Sequence, residues 1–160
     1  MSDSDLLSCE TIFLDIRVND SAELFSVVYE ELLKKGYVEE GFLRAVIARE
    51  KKYPTGLQCE DHVIAIPHTD PEYVRRPFIA AVRTIEPVSF LEMTNSGINL
   101  ETRLIFILGL KRSGEQVMML KAIMDNFAKD NVAAAAFLKA KDINECLDIL
   151  KPLEIGKDNK

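Results

Sequence analysis

Apolar positions along this chain fall into two rhythms, and the switches between them mark its elements. Thr11 to Asp15 predicts a first strand. Asp20 with Glu23 reads as a capping box, and Leu24, Val27, Val28 and Leu32 follow with helical spacing until Gly36 stops the run. A second helix is expected from about Glu39 to Lys51, with Phe42, Leu43, Val46 and Ile47 on one face and Tyr53-Pro54-Thr55-Gly56 as its breaker. Leu57 to Cys59 suggests a short strand. Val63 to Ile66 has the β-branched content of a buried one, weakened or ended by Pro67. Asp70-Pro71-Glu72 reads as a helix start with Asp70 as N-cap. Pro77 to Thr84 predicts a strand. Glu86 to Glu101 reads as irregular, with Val88 to Phe90 as a short edge strand. Leu104 to Leu108 is apolar on both faces, as a central strand requires.

Ser113 with Gln116 suggests a capping box for a helix reaching about Ala128. Asn131 to Ala140 reads as an alanine-rich helix, and Asp142 with Glu145 caps a last one through Leu150. Residues 1–10 read as a loose leader and 153–160 as a loose tail. The sum is an α/β fold: a single-domain sandwich over residues 1–160, its mixed sheet of four to five strands flanked by helices.

Composition narrows the function. At 160 residues and 48% apolar content the chain can build a real core. Its formal charge of −6 disfavours nucleic acid as a partner. No apolar run approaches the ~20 residues of a membrane span, so no direct membrane insertion is expected. The polar start, Met-Ser-Asp-Ser-Asp, is no secretory signal. Cys9, Cys59 and Cys146 are odd in number and widely spaced, which fits a reducing, cytoplasmic setting without disulfides.

Candidate chemistry gathers at His68. Pro67 places it at a strand's mouth, next to the free N–H groups expected of a helix start, where an anion can be met. One reading is a structural histidine with its ring nitrogens satisfied. Another is a nucleophile, since neutral imidazole is available near pH 7 and can take a phosphoryl group and pass it on. That site needs an acceptor to orient one ring nitrogen and donors for phosphoryl oxygens. The Arg49 guanidinium, the Thr55 hydroxyl and backbone N–H groups near Thr69 are candidates. A metal site is disfavoured. His62 and His68, the two histidines, would stand about 20 Å apart on a continuous strand. No cofactor is expected, and no nucleotide-binding glycine loop appears.

Two blocks, Arg49-Glu50-Lys51-Lys52-Tyr53-Pro54-Thr55-Gly56-Leu57 and Ile64-Ala65-Ile66-Pro67-His68, resemble the signature of the IIA components of the bacterial sugar phosphotransferase system, in the fructose–mannitol family. The resemblance covers nearly the whole chain. It implies that His68 accepts phosphate from phospho-HPr and donates it to a cysteine of a IIB component, serving a membrane IIC component indirectly. Arg49 and Thr55 match the family's arginine and threonine. Thr69 stands where the family usually has Gly or Ala. Gln116 stands where many members place a second histidine; its amide N–H can still bond a phosphoryl oxygen. These departures, with His62 six positions upstream as a possible further participant, resemble the galactitol-type branch. Two other readings remain open: a regulatory module whose His68 phosphorylation controls a non-transport target, and a small-ligand binding domain without chemistry.

Met118, Met119, Leu120, Ile123 and Met124 partly follow helical spacing and read mainly as core, with exposed methionines available to a partner surface.

Overall fold

The computed structural model describes residues 6–154. Five strands form one sheet: β1 (Ile12–Ile16), β2 (Gly56–Gln58), β3 (Val63–Ala65), β4 (Phe78–Leu91) and β5 (Asn99–Gly109). Their order is β1-β4-β5-β3-β2. The sheet is mixed. β1 runs parallel to β4 and β3 parallel to β5, whereas β4–β5 and β2–β3 are antiparallel.

Two helical layers cover it. α1 (Ser21–Lys34) and α2 (Phe42–Lys52) pack Leu24, Phe25, Val28, Leu32, Phe42 and Val46 against Phe78, Ala80, Val82, Ile105 and Ile107. On the other face α3 (Ser113–Ile123), α4 (Val132–Lys139) and α5 (Ile143–Leu150) pack over Ile79, Ala81, Leu104, Phe106 and Leu108. Consecutive residues of β4 and β5 thus enter opposite cores, the period of two expected of strands buried on both sides.

Local chemistry explains most boundaries. Asp20 Oδ1 accepts from Glu23 N at 2.8 Å, and Gly36, at φ +83°, lets the chain leave α1. Asp142 Oδ1 caps α5 through Glu145 N at 2.9 Å.

Five expectations need correction. α2 begins at Phe42, not Glu39, because Val38 is bridged to Val74 and Glu39 N bonds the Tyr73 carbonyl. The same bridge limits the turn after Asp70 to a 3-10 helix over Pro71–Tyr73, and the Asp70 side chain caps nothing. The segment read as irregular is a long hairpin. β4 runs on to Leu91, absorbing Pro87 at an irregularity in its pairing with β5 past the end of β1. The box opening α3 uses Glu115, whose Oε1 accepts from Arg112 N at 3.3 Å, so Gln116 is not its capping member. That helix also does not stay α-helical to Ala128: Met124–Ala128 is a π turn.

The expected loose ends are partly tied down. Leu6 is buried, and the Leu6 and Leu7 amides donate to the two carboxylate oxygens of Glu154 at 2.7 and 2.9 Å. Leu153 is also buried. Residues 1–5 and 155–160 of the leader and tail lie outside the described residues. Met119 and Ile123 are core, while Met118 and Met124 are exposed.

Candidate active site

Strand β3 ends at Ala65, but the chain stays beside β5 as far as His68. Leu108 N donates to the Pro67 carbonyl at 2.9 Å, and His68 is bridged to Leu108. On the other side β2 has ended. The hairpin register pairs Gly56 with Ala65, so Thr55 stands opposite Ile66. Instead of a normal ladder rung, the Thr55 hydroxyl oxygen accepts from Ile66 N at 3.1 Å. The Ile66 carbonyl is then met by Nδ1 of His68 at 3.1 Å. A carbonyl only accepts, so Nδ1 carries the proton and Nε2 has the lone pair.

The half-buried ring has no hydrogen bond at Nε2 to any described residue, and that atom is not sealed from solvent. Burial, aided by the Arg49 charge, holds the imidazole below its usual pKa of 6.5. The Ile66 bond and Asp70 oppose this without cancelling it. The ring is therefore neutral at pH 7.

Arg49, in the last turn of α2, places Nη1 3.4 Å from Asp70 Oδ1, and its guanidinium lies 5.2 Å from the centre of the Tyr53 ring. Its Nε is buried without a hydrogen-bond partner among the described residues. The Asp70 carboxylate thus steadies the cation rather than a helix.

Thr55 is near His68 but not as a free donor. Its hydroxyl proton goes to Glu50 Oε1 at 2.9 Å, and its amide to Glu50 Oε2 at 2.8 Å. Thr69 is buried, with its hydroxyl donating to the Asp70 carbonyl at 3.2 Å. Gln116, half-buried in the first turn of α3, makes no hydrogen bond to His68 among the described residues. His62 lies at the far end of β3, where its Nε2 meets the Phe127 carbonyl at 2.5 Å. It braces the π turn and does not join the site.

Sequence reasoning called for an acceptor at one ring nitrogen without naming the Ile66 carbonyl, and it passed over Glu50. A strand ending in proline beside a turn was a signal for the first. The second was visible only as the acidic neighbour of Arg49.

The family model for "Phosphoenolpyruvate-dependent sugar phosphotransferase system, EIIA 2" matches residues 5–152. The chain belongs to that family. Among curated relatives, a galactitol-specific EIIA component of Escherichia coli is 26% identical over 113 residues, covering 71% of this chain and 75% of the relative. Among solved structures, the nitrogen regulatory protein IIA-Ntr of Neisseria meningitidis is 27% identical, with TM-score 0.71, covering 91% of this chain and 96% of that one. The mannitol IIA of Escherichia coli in its complex with phosphorylated IIB is 25% identical, with TM-score 0.71 and the same coverages of 91% and 96%. Proteins of this family are phosphoryl carriers of the phosphotransferase system.

Proposed function

We propose that this chain carries a phosphoryl group on Nε2 of His68, taken from phospho-HPr and passed to a cysteine thiolate of a IIB component. The observation that carries the reading is the ring's bonding: Nδ1–H is held by the Ile66 carbonyl, and Nε2 is unbonded and not sealed away.

In the first step the Nε2 lone pair forms a bond to phosphorus as the phosphorus–nitrogen bond of the donor breaks. The ring becomes cationic, and its Nδ1–H bond to Ile66 O strengthens as that charge develops. Arg49, whose charge already acts on the His68 ring, holds a phosphoryl oxygen. In the second step the thiolate bonds phosphorus, the nitrogen–phosphorus bond breaks, and the electron pair returns to Nε2. No metal is needed in this protein for either step.

Support for a IIB partner comes from the mannitol relative, solved with phosphorylated IIB. α3 leaves the sheet at the end where His68 lies and exposes Val117 and Met118, which suits transient docking. The likeness to a galactitol-specific component supports galactitol-type uptake, with the sugar itself recognised by a membrane IIC component. The whole chain, residues 1–160, then acts as one carrier domain. No helix of the described residues is long and apolar enough to cross a membrane, and we assign the protein to the cytoplasm.

Incubation with phosphoenolpyruvate, Enzyme I and HPr tests the reading. One acid-labile phosphate should add to the wild-type mass and be lost in His68→Ala; full, acid-labile labelling of that variant would overturn it. The likeness to IIA-Ntr favours a second reading, a regulatory module. Transfer from the phosphorylated protein to a IIB domain supports transport, and its absence supports regulation.

A further inference from the structure

Glu50 is a half-buried acid without a cationic partner among the described residues, and both its oxygens face Thr55. Its position explains an anomaly in the β2–β3 hairpin. Cys59 N donates to the His62 carbonyl at 2.8 Å, which makes 59/62 a hydrogen-bonded pair. Such pairs recur every second residue along an antiparallel ladder, so Thr55 and Ile66 should form the next such rung after Leu57 and Ile64. In that rung Thr55 N–H would donate to the Ile66 carbonyl. It does not. Glu50 Oε2 takes the Thr55 amide at 2.8 Å, and Oε1 takes the hydroxyl proton at 2.9 Å. The hydroxyl oxygen is thereby turned to receive Ile66 N–H. The Ile66 carbonyl is left for His68 Nδ1.

We infer that Glu50 is a positioning residue, which holds the last rung of this hairpin open so that the Ile66 carbonyl can fix His68 with its proton on Nδ1 and its lone pair on Nε2. The inference rests on the carrier reading above for its catalytic meaning, but its structural content does not. Without Glu50 the Thr55 amide is free to close the rung. It then competes with Nδ1–H for one carbonyl, and the imidazole gains the other tautomer and other ring orientations. Glu50 also lines a pocket of about 260 Å³ between α1, α2 and the β4–β5 hairpin.

The test reads the tautomer directly. Nitrogen-15 shifts of the His68 imidazole, recorded at pH 8, where the Glu50 carboxyl is ionised, and without any phosphoryl donor, should show the proton on Nδ1 in the wild type. In Glu50→Gln, which keeps the side chain's size, a carboxamide supplies only one acceptor oxygen for two Thr55 donors. A substantial Nε2–H population is expected there, together with a loss of about tenfold in the rate of phosphoryl uptake. Thr55→Val, which removes the hydroxyl but leaves the residue-55 amide on Glu50, should keep the proton on Nδ1. A wild-type tautomer population in Glu50→Gln would overturn the inference, whatever its uptake rate. If instead the wild type takes up no phosphate while Glu50→Gln still moves the tautomer, the carrier reading fails and the positioning role stands.

Discussion

His62 and His68 flank the same short strand, and each ring commits one nitrogen to a backbone carbonyl. The difference lies in what remains. His62 uses Nε2 on Phe127, and its Nδ1 is buried with no partner among the described residues. His68 uses Nδ1 on Ile66 and keeps Nε2 outside. One ring fastens the π turn to the sheet; the other has a lone pair to offer. The identity of the residue therefore does not separate a brace from a proposed nucleophile. The end of the strand does, because at one end the Cys59–His62 rung is closed and at the other the Thr55 amide goes to Glu50.

The sharpest way to break this contrast is to exchange the roles by deletion. His68→Ala should lose phosphoryl labelling entirely, whereas His62→Ala should keep it, as read by intact mass after incubation with the donor proteins. Loss in both would mean that the two rings work together. Next in size is Arg49→Ala, expected to slow uptake about 100-fold through lost stabilisation of phosphoryl charge, measured by rapid quench. An unchanged rate would remove Arg49 from the site.

Glu50 sharpens the contrast through stability. Burial, partly offset by the two Thr55 bonds, raises its carboxyl from 4.5 to about 7. The folded state therefore holds this proton more tightly than the unfolded chain. Its contribution is full below about pH 4.5 and is lost as pH rises through 7, by at most about 3 kcal/mol. Denaturant melts of wild type and Glu50→Gln across pH 4.5–8 should differ by that slope. Parallel curves would show that Glu50 ionises normally.

His62→Ala should cost about 1–2 kcal/mol by the same melts, the worth of one well-made bond to a buried turn. Smallest is the pH dependence of uptake. The His68 pKa is lowered, so the ring stays neutral as pH falls through 6.5, and uptake should hold below that value. The lowered pKa makes His68 stabilising above the unfolded value, with that contribution lost as pH falls from there through the lower folded value. Uptake that declines already above pH 6.5 would contradict the burial of the ring.

Much of this fold was legible because its signals are local. The caps at Asp20 and Asp142, the stop at Gly36 and the two-faced run from Leu104 to Leu108 each depend on a few neighbouring residues. Three of the five misreadings share a different cause. Val38 meeting Val74, and β4 pairing with β5 beyond Pro87, are contacts between distant segments that override local preference. The site divides along the same line. His68 and Arg49 were legible as residue types in a pattern. What Thr55 does was not, because its hydroxyl is claimed by a helix residue and a strand amide together.

The grip of Glu154 on the amides of Leu6 and Leu7 places the two ends of the described residues side by side. A polypeptide that enters and leaves through one spot can be spliced into a surface loop of an unrelated host without prising either apart. Joining those neighbouring points by a short linker and reopening the backbone at the Asn95-Ser96-Gly97 bend would give a permuted molecule with the same sheet.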